Sequence, residues 1–169
     1  MRGLPQPAIE EFNTGGKYIA ILNLAREHNL TDILPWCLYA CAQLSWETLV
    51  QGVITPRGQK EKLSEDDLVR CLKGREELIC DSIHSANTFN DEETACFGGD
   101  CANILDQMVD ICISAKEFIN PDPLGITADG YQLKNKHLCR KCVEHFTKLP
   151  EIDRKVTFEK LPKYFGLTH

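Results

Sequence analysis

Two pairs of cysteines in the second half of the chain have a spacing that suits a metal ion. Cys96 and Cys101 form a C-x-x-x-x-C motif with two glycines inside it, and Cys139 and Cys142 form a C-x-x-C motif. Each pair is expected at the start of a helix, where exposed N–H groups stabilise thiolates. Four thiolates match the tetrahedral coordination of Zn²⁺, with bonds of about 2.3 Å. The spacing therefore predicts one structural zinc ion bound by Cys96, Cys101, Cys139 and Cys142.

Two histidines beside the second pair leave other ligand sets open. His137 lies two residues before Cys139, and His145 lies three residues after Cys142, so either could replace a cysteine. Two pairs of partly buried thiols without a metal are the simplest alternative. A redox role of the thioredoxin type is disfavoured, because that motif follows a strand and no strand is predicted here.

The remaining cysteines are expected to pack in the core as small apolar side chains. The chain has nine cysteines, so pairing into disulfides within it cannot be complete. Glu10 and Glu11 stand where a signal peptide would be apolar, which favours an intracellular protein with reduced thiols. The five cysteines assigned to the core are Cys37, Cys41, Cys71, Cys80 and Cys112.

Two other classes of function are compatible with the same residues. A metal-dependent hydrolase would use three cysteine or histidine ligands, with Glu144 or Asp100 acting on a bound water. A zinc module that binds nucleic acid would use the basic residues around the second cysteine pair, although a net charge of −6 argues against it. The motifs of serine hydrolases, zinc proteases and nucleotide-binding loops do not occur in the sequence. The basic residues concerned are Lys134, Lys136, Arg140 and Lys141.

The periodicity of apolar residues predicts a mostly helical protein. We expect one all-α domain of about six to eight helices over residues 1–169. Its N-terminal lobe is expected at 1–90, and a second lobe, held together by the zinc-binding cysteines, at 91–169. The clearest helix is Cys101–Ile119, and the helix Lys17–His28 should bury Ile21, Leu22, Leu24 and Ala25. The longest apolar run, Ile33–Ala42, is about half of the ~20 residues that a membrane span requires, so no membrane association is predicted.

Helix boundaries follow from capping residues and helix breakers. Asn29 should end the first helix, and Ser64 should cap a later one in a capping box with Asp67. Gly74 is expected to end or bend that helix, and Pro150 to break the last one. Val53–Lys62 is predicted to be a loop.

Five blocks of the sequence, taken in order, resemble a known family. They are similar to the helical region that follows the BTB/POZ domain in a large family of proteins from mushroom-forming fungi. The resemblance implies a helical extension similar to the BACK region of BTB adaptors, without enzymatic activity and acting through protein–protein contacts. The BTB fold itself is expected to be missing, since only about 19 residues precede the first block, so dimerisation and cullin docking are not carried over. The blocks are Ile21–His28, Ile33–Tyr39, Leu63–Cys71, Leu138–Cys142 and Leu161–Leu167.

The sequence thus predicts an intracellular adaptor module, in the cytoplasm or nucleus, that is stabilised by one structural zinc. Its partner is expected to be another protein, and the chain itself to be a monomer. Trp36, Tyr39 and Trp46 are candidates for the binding surface, and a place in the core is the alternative for all three.

Overall fold

The computed structural model describes residues 15–87, 101, 103, 104, 107, 122–124 and 138–167. These residues are mostly helical, which confirms the predicted class. The four described residues from 101 to 107 are helical, at the start of the predicted helix Cys101–Ile119, whose remainder lies outside the described residues. The elements are α1 Lys17–Glu27, a 3-10 turn Thr31–Ile33, α2 Leu34–Ala42, α3 Trp46–Gln51, β1 Val53–Ile54, β2 Lys60–Glu61, α4 Glu65–Asn87 and α5 Arg140–Tyr164.

Helix α1 buries one narrow stripe of apolar residues. Ile19, Leu22 and Ala25 are buried at three-residue steps, whereas Ile21 and Leu24 are 42% and 52% exposed. The predicted wider face was therefore wrong in those two positions, because the partners of α1 cover only one side of it. Asn29 ends the helix as predicted, with a φ of 53°.

Helix α2 is apolar on almost every side. Seven of its nine residues are buried, and Pro35 lies in its first turn, where a missing N–H breaks no helical hydrogen bond. The helix α3 begins soon afterwards at a cap formed by Ser45, whose side chain accepts a hydrogen bond from the Thr48 amide. These two helices supply much of the core of the first half.

The segment predicted as a loop contains a small β-hairpin. Val53 pairs with Glu61 and Ile54 with Lys60 in an antiparallel register. Strands of two residues carry no readable alternation, so the sequence pattern could not reveal them. Gly52 has a φ of 76°, and a Cβ added there would collide with the carbonyl oxygen of Glu61.

The predicted capping box at the start of α4 is present and is also an ion-pair site. The Ser64 hydroxyl accepts a hydrogen bond from the Asp67 amide and donates one to the Asp67 carboxylate, each at 3.1 Å. The buried Asp67 carboxylate also accepts from the Arg26 guanidinium of α1. The cap thus fastens α4 to α1.

Two predicted helix ends do not occur. Helix α4 continues through Gly74, and α5 continues through Pro150. Gly74 is buried against the Phe165 ring, and an added Cβ would overlap that ring. The glycine therefore serves close packing. A proline removes a single backbone hydrogen bond, and the other turns of the 25-residue α5 remain bonded.

The chain divides into two compact units. Unit 1 comprises Met1–Glu76 and Leu161–His169, and unit 2 comprises Glu77–Lys160. The boundaries fall inside α4 and α5. The predicted single domain with lobes at 1–90 and 91–169 stays a prediction.

Candidate metal centre

The first turn of α5 carries the C-x-x-C motif. The carbonyl of Cys139 accepts a hydrogen bond from the Val143 amide at 3.0 Å, so Cys139 is the residue that precedes the helix. Cys142 is then the third helical residue. The pair lies at a helix start, as predicted, where unpaired N–H groups favour negative charge.

Cys101 joins this pair from a distant part of the sequence. The Sγ atoms of Cys101, Cys139 and Cys142 all lie within 4.8 Å of one another. The Cys139 amide donates a hydrogen bond to the Cys101 sulfur, with a nitrogen–sulfur distance of 3.3 Å. This contact holds the Cys101 sulfur beside the start of α5. Three of the four predicted zinc ligands are therefore brought together.

The three cysteines differ in their exposure to solvent. Cys101 and Cys142 are 5% and 2% exposed, whereas Cys139 is half-buried. Two of the three residues are thus buried, and the third is partly exposed. Sulfur ligands at such positions bind a metal ion as thiolates, and the ion would supply the positive charge that buried thiolates need.

The spacing of the sulfurs is compatible with a single thiophilic ion. Zn–S bonds of about 2.3 Å in a tetrahedron place sulfurs about 3.8 Å apart, inside the 4.8 Å limit found here. Sulfur donors favour zinc and other soft ions over magnesium or calcium. The three cysteines could therefore bind a metal with little rearrangement.

Several other residues named for the site lie outside the described residues. Cys96, Asp100 and His137 are among them, and nothing is described of the side chain of His145. Glu144 is described: its carboxylate accepts from the Arg140 guanidinium at 2.8 Å, and both side chains are exposed. The carboxylate considered for a metal-bound water is thus in an ion pair at the surface.

The basic cluster considered for nucleic acid is only partly described. Lys134 and Lys136 lie outside the described residues. The Arg140 side chain is 91% exposed, and Lys141 is also exposed. Arg140 forms an exposed ion pair with Glu144, and Lys141 adds a second exposed positive charge.

Core packing is confirmed for three of the other cysteines. Cys37, Cys41 and Cys71 are buried, but Cys80 is exposed, so its assignment to the core was wrong. Helical geometry explains this outcome, since Leu78 and Ser82 lie on the buried side of α4 and Cys80 lies between them. Cys112 lies outside the described residues.

Two buried thiols of unit 1 are held in the neutral form. A hydrogen bond with Cys71 raises the pKa of Cys41, and burial raises it further. Burial alone raises the pKa of Cys37. These thiols are poor metal ligands at neutral pH, because a metal binds the thiolate. None of the seven described cysteines is in a disulfide.

The predicted aromatic surface is present in part. Trp36 and Trp46 are 51% and 55% exposed, whereas Tyr39 is buried at 5%. The Trp36 ring stacks on Tyr39 with centroids 5.3 Å apart. The Arg75 guanidinium lies 4.8 Å above the Trp46 ring.

Arg75 was missed by the sequence analysis. Its Nη1 donates to the carbonyls of Ala42 and Leu44 at 2.8 Å each, so it caps the end of α2 while it supports Trp46. Burial lowers the pKa of this guanidinium. An arginine in the middle of an amphipathic helix gives no sequence signal that distinguishes this role from a solvated one.

Among the described helices, none has the length and apolar character needed to cross a bilayer.

Comparison with protein-family models, with curated proteins and with solved structures found no match to this chain.

Proposed function

We propose that this chain is a protein–protein interaction module in which one structural zinc ion stabilises unit 2. The observation that carries this proposal is the convergence of the Cys101, Cys139 and Cys142 sulfurs within 4.8 Å. Cys96 is the proposed fourth ligand.

A structural role for the zinc is supported by the donors and their burial. All three described donors are sulfurs, which is the ligand type typical of structural zinc. Two of the three are almost fully buried. Zinc binding would then add directly to the folding free energy of unit 2, by an amount on the order of 10 kcal/mol in zinc-finger peptides.

The interaction role is supported by aromatic side chains on unit 1. Trp36 and Trp46 expose more than half of their surface. Tryptophan is enriched at the centres of protein interfaces, because it buries a large area with few rotatable bonds. We propose that the chain corresponds to the helical region of a fungal BTB protein and acts as an adaptor in the cytoplasm or nucleus.

The metal part of the proposal is tested by elemental analysis. Protein purified without added metal should contain about one zinc per chain. The Cys142→Ser variant should lose it, because the variant removes one buried ligand. Cys80→Ser is the matched control, since Cys80 is exposed and lies outside the cluster. Equal zinc content in Cys142→Ser and Cys80→Ser would contradict the proposed ligand set.

Cobalt substitution then identifies the fourth ligand. Co²⁺ in a site with four thiolates absorbs strongly through sulfur-to-metal charge transfer, and the intensity falls with each thiolate removed. Cys96→Ser should therefore weaken the band, whereas replacement of His137 or His145 should leave it unchanged. If Cys96→Ser leaves the charge-transfer band unchanged, and replacement of His137 or His145 changes the d–d bands or weakens cobalt binding, that histidine is the fourth ligand in place of Cys96.

The interaction part is tested by comparing tryptophan variants in co-purification. Trp36→Ala and Trp46→Ala should each be compared with Val69→Ala, which is also about half exposed and lies on α4. A protein that co-purifies with the original chain and with Val69→Ala, but not with a tryptophan variant, is expected. Identical sets of co-purified proteins for all variants would contradict the proposed surface.

A further inference from the structure

The three clustered cysteines differ in their exposure as residues, and this difference bears on which of them an oxidant reaches first. Cys139 is half-buried and lies at the margin of the cluster. Cys101 and Cys142 are 5% and 2% exposed. Cys139 is therefore the residue of the three that dissolved hydrogen peroxide is expected to reach first.

Cys142 is placed to react with an oxidised Cys139. The two residues occupy one helical turn, and their sulfurs lie within 4.8 Å. A disulfide bond is about 2.05 Å long, so the sulfurs need to approach by at most about 2.8 Å. Rotation of the two side chains can supply this movement while the backbone of α5 stays helical.

Cys101 is less well placed for the same reaction. Its sulfur accepts the hydrogen bond from the Cys139 amide at 3.3 Å. A disulfide between Cys139 and Cys101 would disturb this hydrogen bond. A disulfide between Cys139 and Cys142 leaves the Cys101 sulfur in its present position.

We propose that Cys139 is a site of modification by hydroperoxides and that Cys142 converts the product into a disulfide. In the first step the Cys139 sulfur attacks one oxygen of the hydroperoxide, an S–O bond forms and the O–O bond breaks. The sulfur loses two electrons and becomes a sulfenic acid, and the leaving oxygen takes the thiol proton and departs as water from hydrogen peroxide or as an alcohol from an organic hydroperoxide. In the second step the Cys142 thiol attacks the sulfenic sulfur, the S–O bond breaks, and water leaves with the thiol proton.

Metal binding and this oxidation use the same sulfurs. A disulfide sulfur has lost the thiolate character that binds zinc, so one chain cannot carry both. Competition between peroxide and zinc rests on the proposed function. Disulfide formation in the metal-free chain does not rest on it, and the two ideas can fail separately.

The test treats the full chain with hydrogen peroxide in zinc-loaded and chelated form and maps disulfides by mass spectrometry after alkylation. The chelated chain should lose two hydrogen atoms in mass and contain a Cys139–Cys142 disulfide that dithiothreitol reduces. Cys101→Ser and Cys80→Ser should form the same bond. Cys142→Ser should instead hold a sulfenic acid at Cys139, which dimedone labels.

Three results would overturn the modification site. The first is a Cys139–Cys101 disulfide in place of the predicted one. The second is a set of disulfides identical to the set formed when the chain is oxidised in guanidinium chloride. The chain is unfolded there, so the fold cannot influence which cysteines pair. The third is no dimedone label at Cys139 in Cys142→Ser. If zinc-loaded and chelated chains form the disulfide at equal rates, the modification site is supported and zinc binding by these sulfurs is contradicted.

Discussion

At the scale of single residues, the roles of glycine and cysteine depend on position more than on type. Gly74 was predicted to end or bend α4; the helix does not end there, and the glycine allows the Phe165 ring to lie against α4. Cys80 was predicted to be buried and is exposed, while Cys71 on the same helix is fully buried. Each residue type permits both outcomes, and the neighbours in space select one.

Replacement of Gly74 by alanine should destabilise unit 1 by about 2 kcal/mol or more. The added methyl group overlaps the Phe165 ring, and this overpacking outweighs the gain of about 1 kcal/mol in helix propensity. Chemical denaturation of the two variants Gly74→Ala and Phe165→Leu and of their combination measures the effect. The cost of Gly74→Ala should be smaller when Phe165 is replaced, and an equal cost in both backgrounds would refute the packing explanation.

At the scale of elements, local capping rules were reliable and helix-breaking rules were not. The capping box of Ser64 and Asp67 depends on residues three apart, so the sequence alone reveals it. Helix continuation through Gly74 and Pro150 depends on contacts and hydrogen bonds made by distant turns. A penalty at one position does not decide the state of a helix of 23 or 25 residues.

The variant Ser64→Ala should lower the free energy of unfolding by about 1 kcal/mol. It removes the acceptor for the Asp67 amide and a donor to the buried Asp67 carboxylate. Urea denaturation measures the change, and Ser64→Thr, which keeps the hydroxyl, should retain most of the stability. If Ser64→Thr loses as much as Ser64→Ala, the capping hydrogen bonds are not the source of the effect.

At the scale of the whole molecule, the candidate metal centre lies in only one of the two compact units. Cys101, Cys139 and Cys142 all belong to unit 2, whereas the buried thiols Cys37 and Cys41 belong to unit 1. Two groups of cysteines therefore have separate physical roles in one chain. One group fills a core, and the other brings polar sulfurs to a common point.

Removal of metal should loosen unit 2 while leaving the helices of unit 1 protected. Hydrogen–deuterium exchange with and without a chelator measures this difference. Residues 140–160 should lose amide protection after chelation, because ligand binding contributes to the stability of the unit that holds the ligand. Helices α1 and α2 should exchange at unchanged rates, and an equal loss of protection in both units would contradict a local structural role.

Most of the correct predictions from the sequence came from patterns among residues that are close together in the chain. The periodicity of apolar residues predicted the fold class. The spacing of Cys139 and Cys142 predicted a pair of ligands at the start of a helix, and Ser64 was predicted to cap α4. All of these depend on residues within one or two turns of each other, where backbone geometry fixes their relative positions. The pairing of Cys101 with the second motif was also predicted, from the chemistry of the donors.

The features that were not predicted depend on packing between residues that are far apart in the sequence. Phe165 packs against Gly74, which lies 91 positions earlier in the chain. Arg75 donates hydrogen bonds to carbonyls at the end of α2, about 30 positions earlier. Which side of α1 is covered, and which cysteine of α4 is exposed, also depend on such partners. A sequence states the apolar or polar character of each side chain, but burial is a property of two surfaces in contact. Only the folded chain brings the second surface into place.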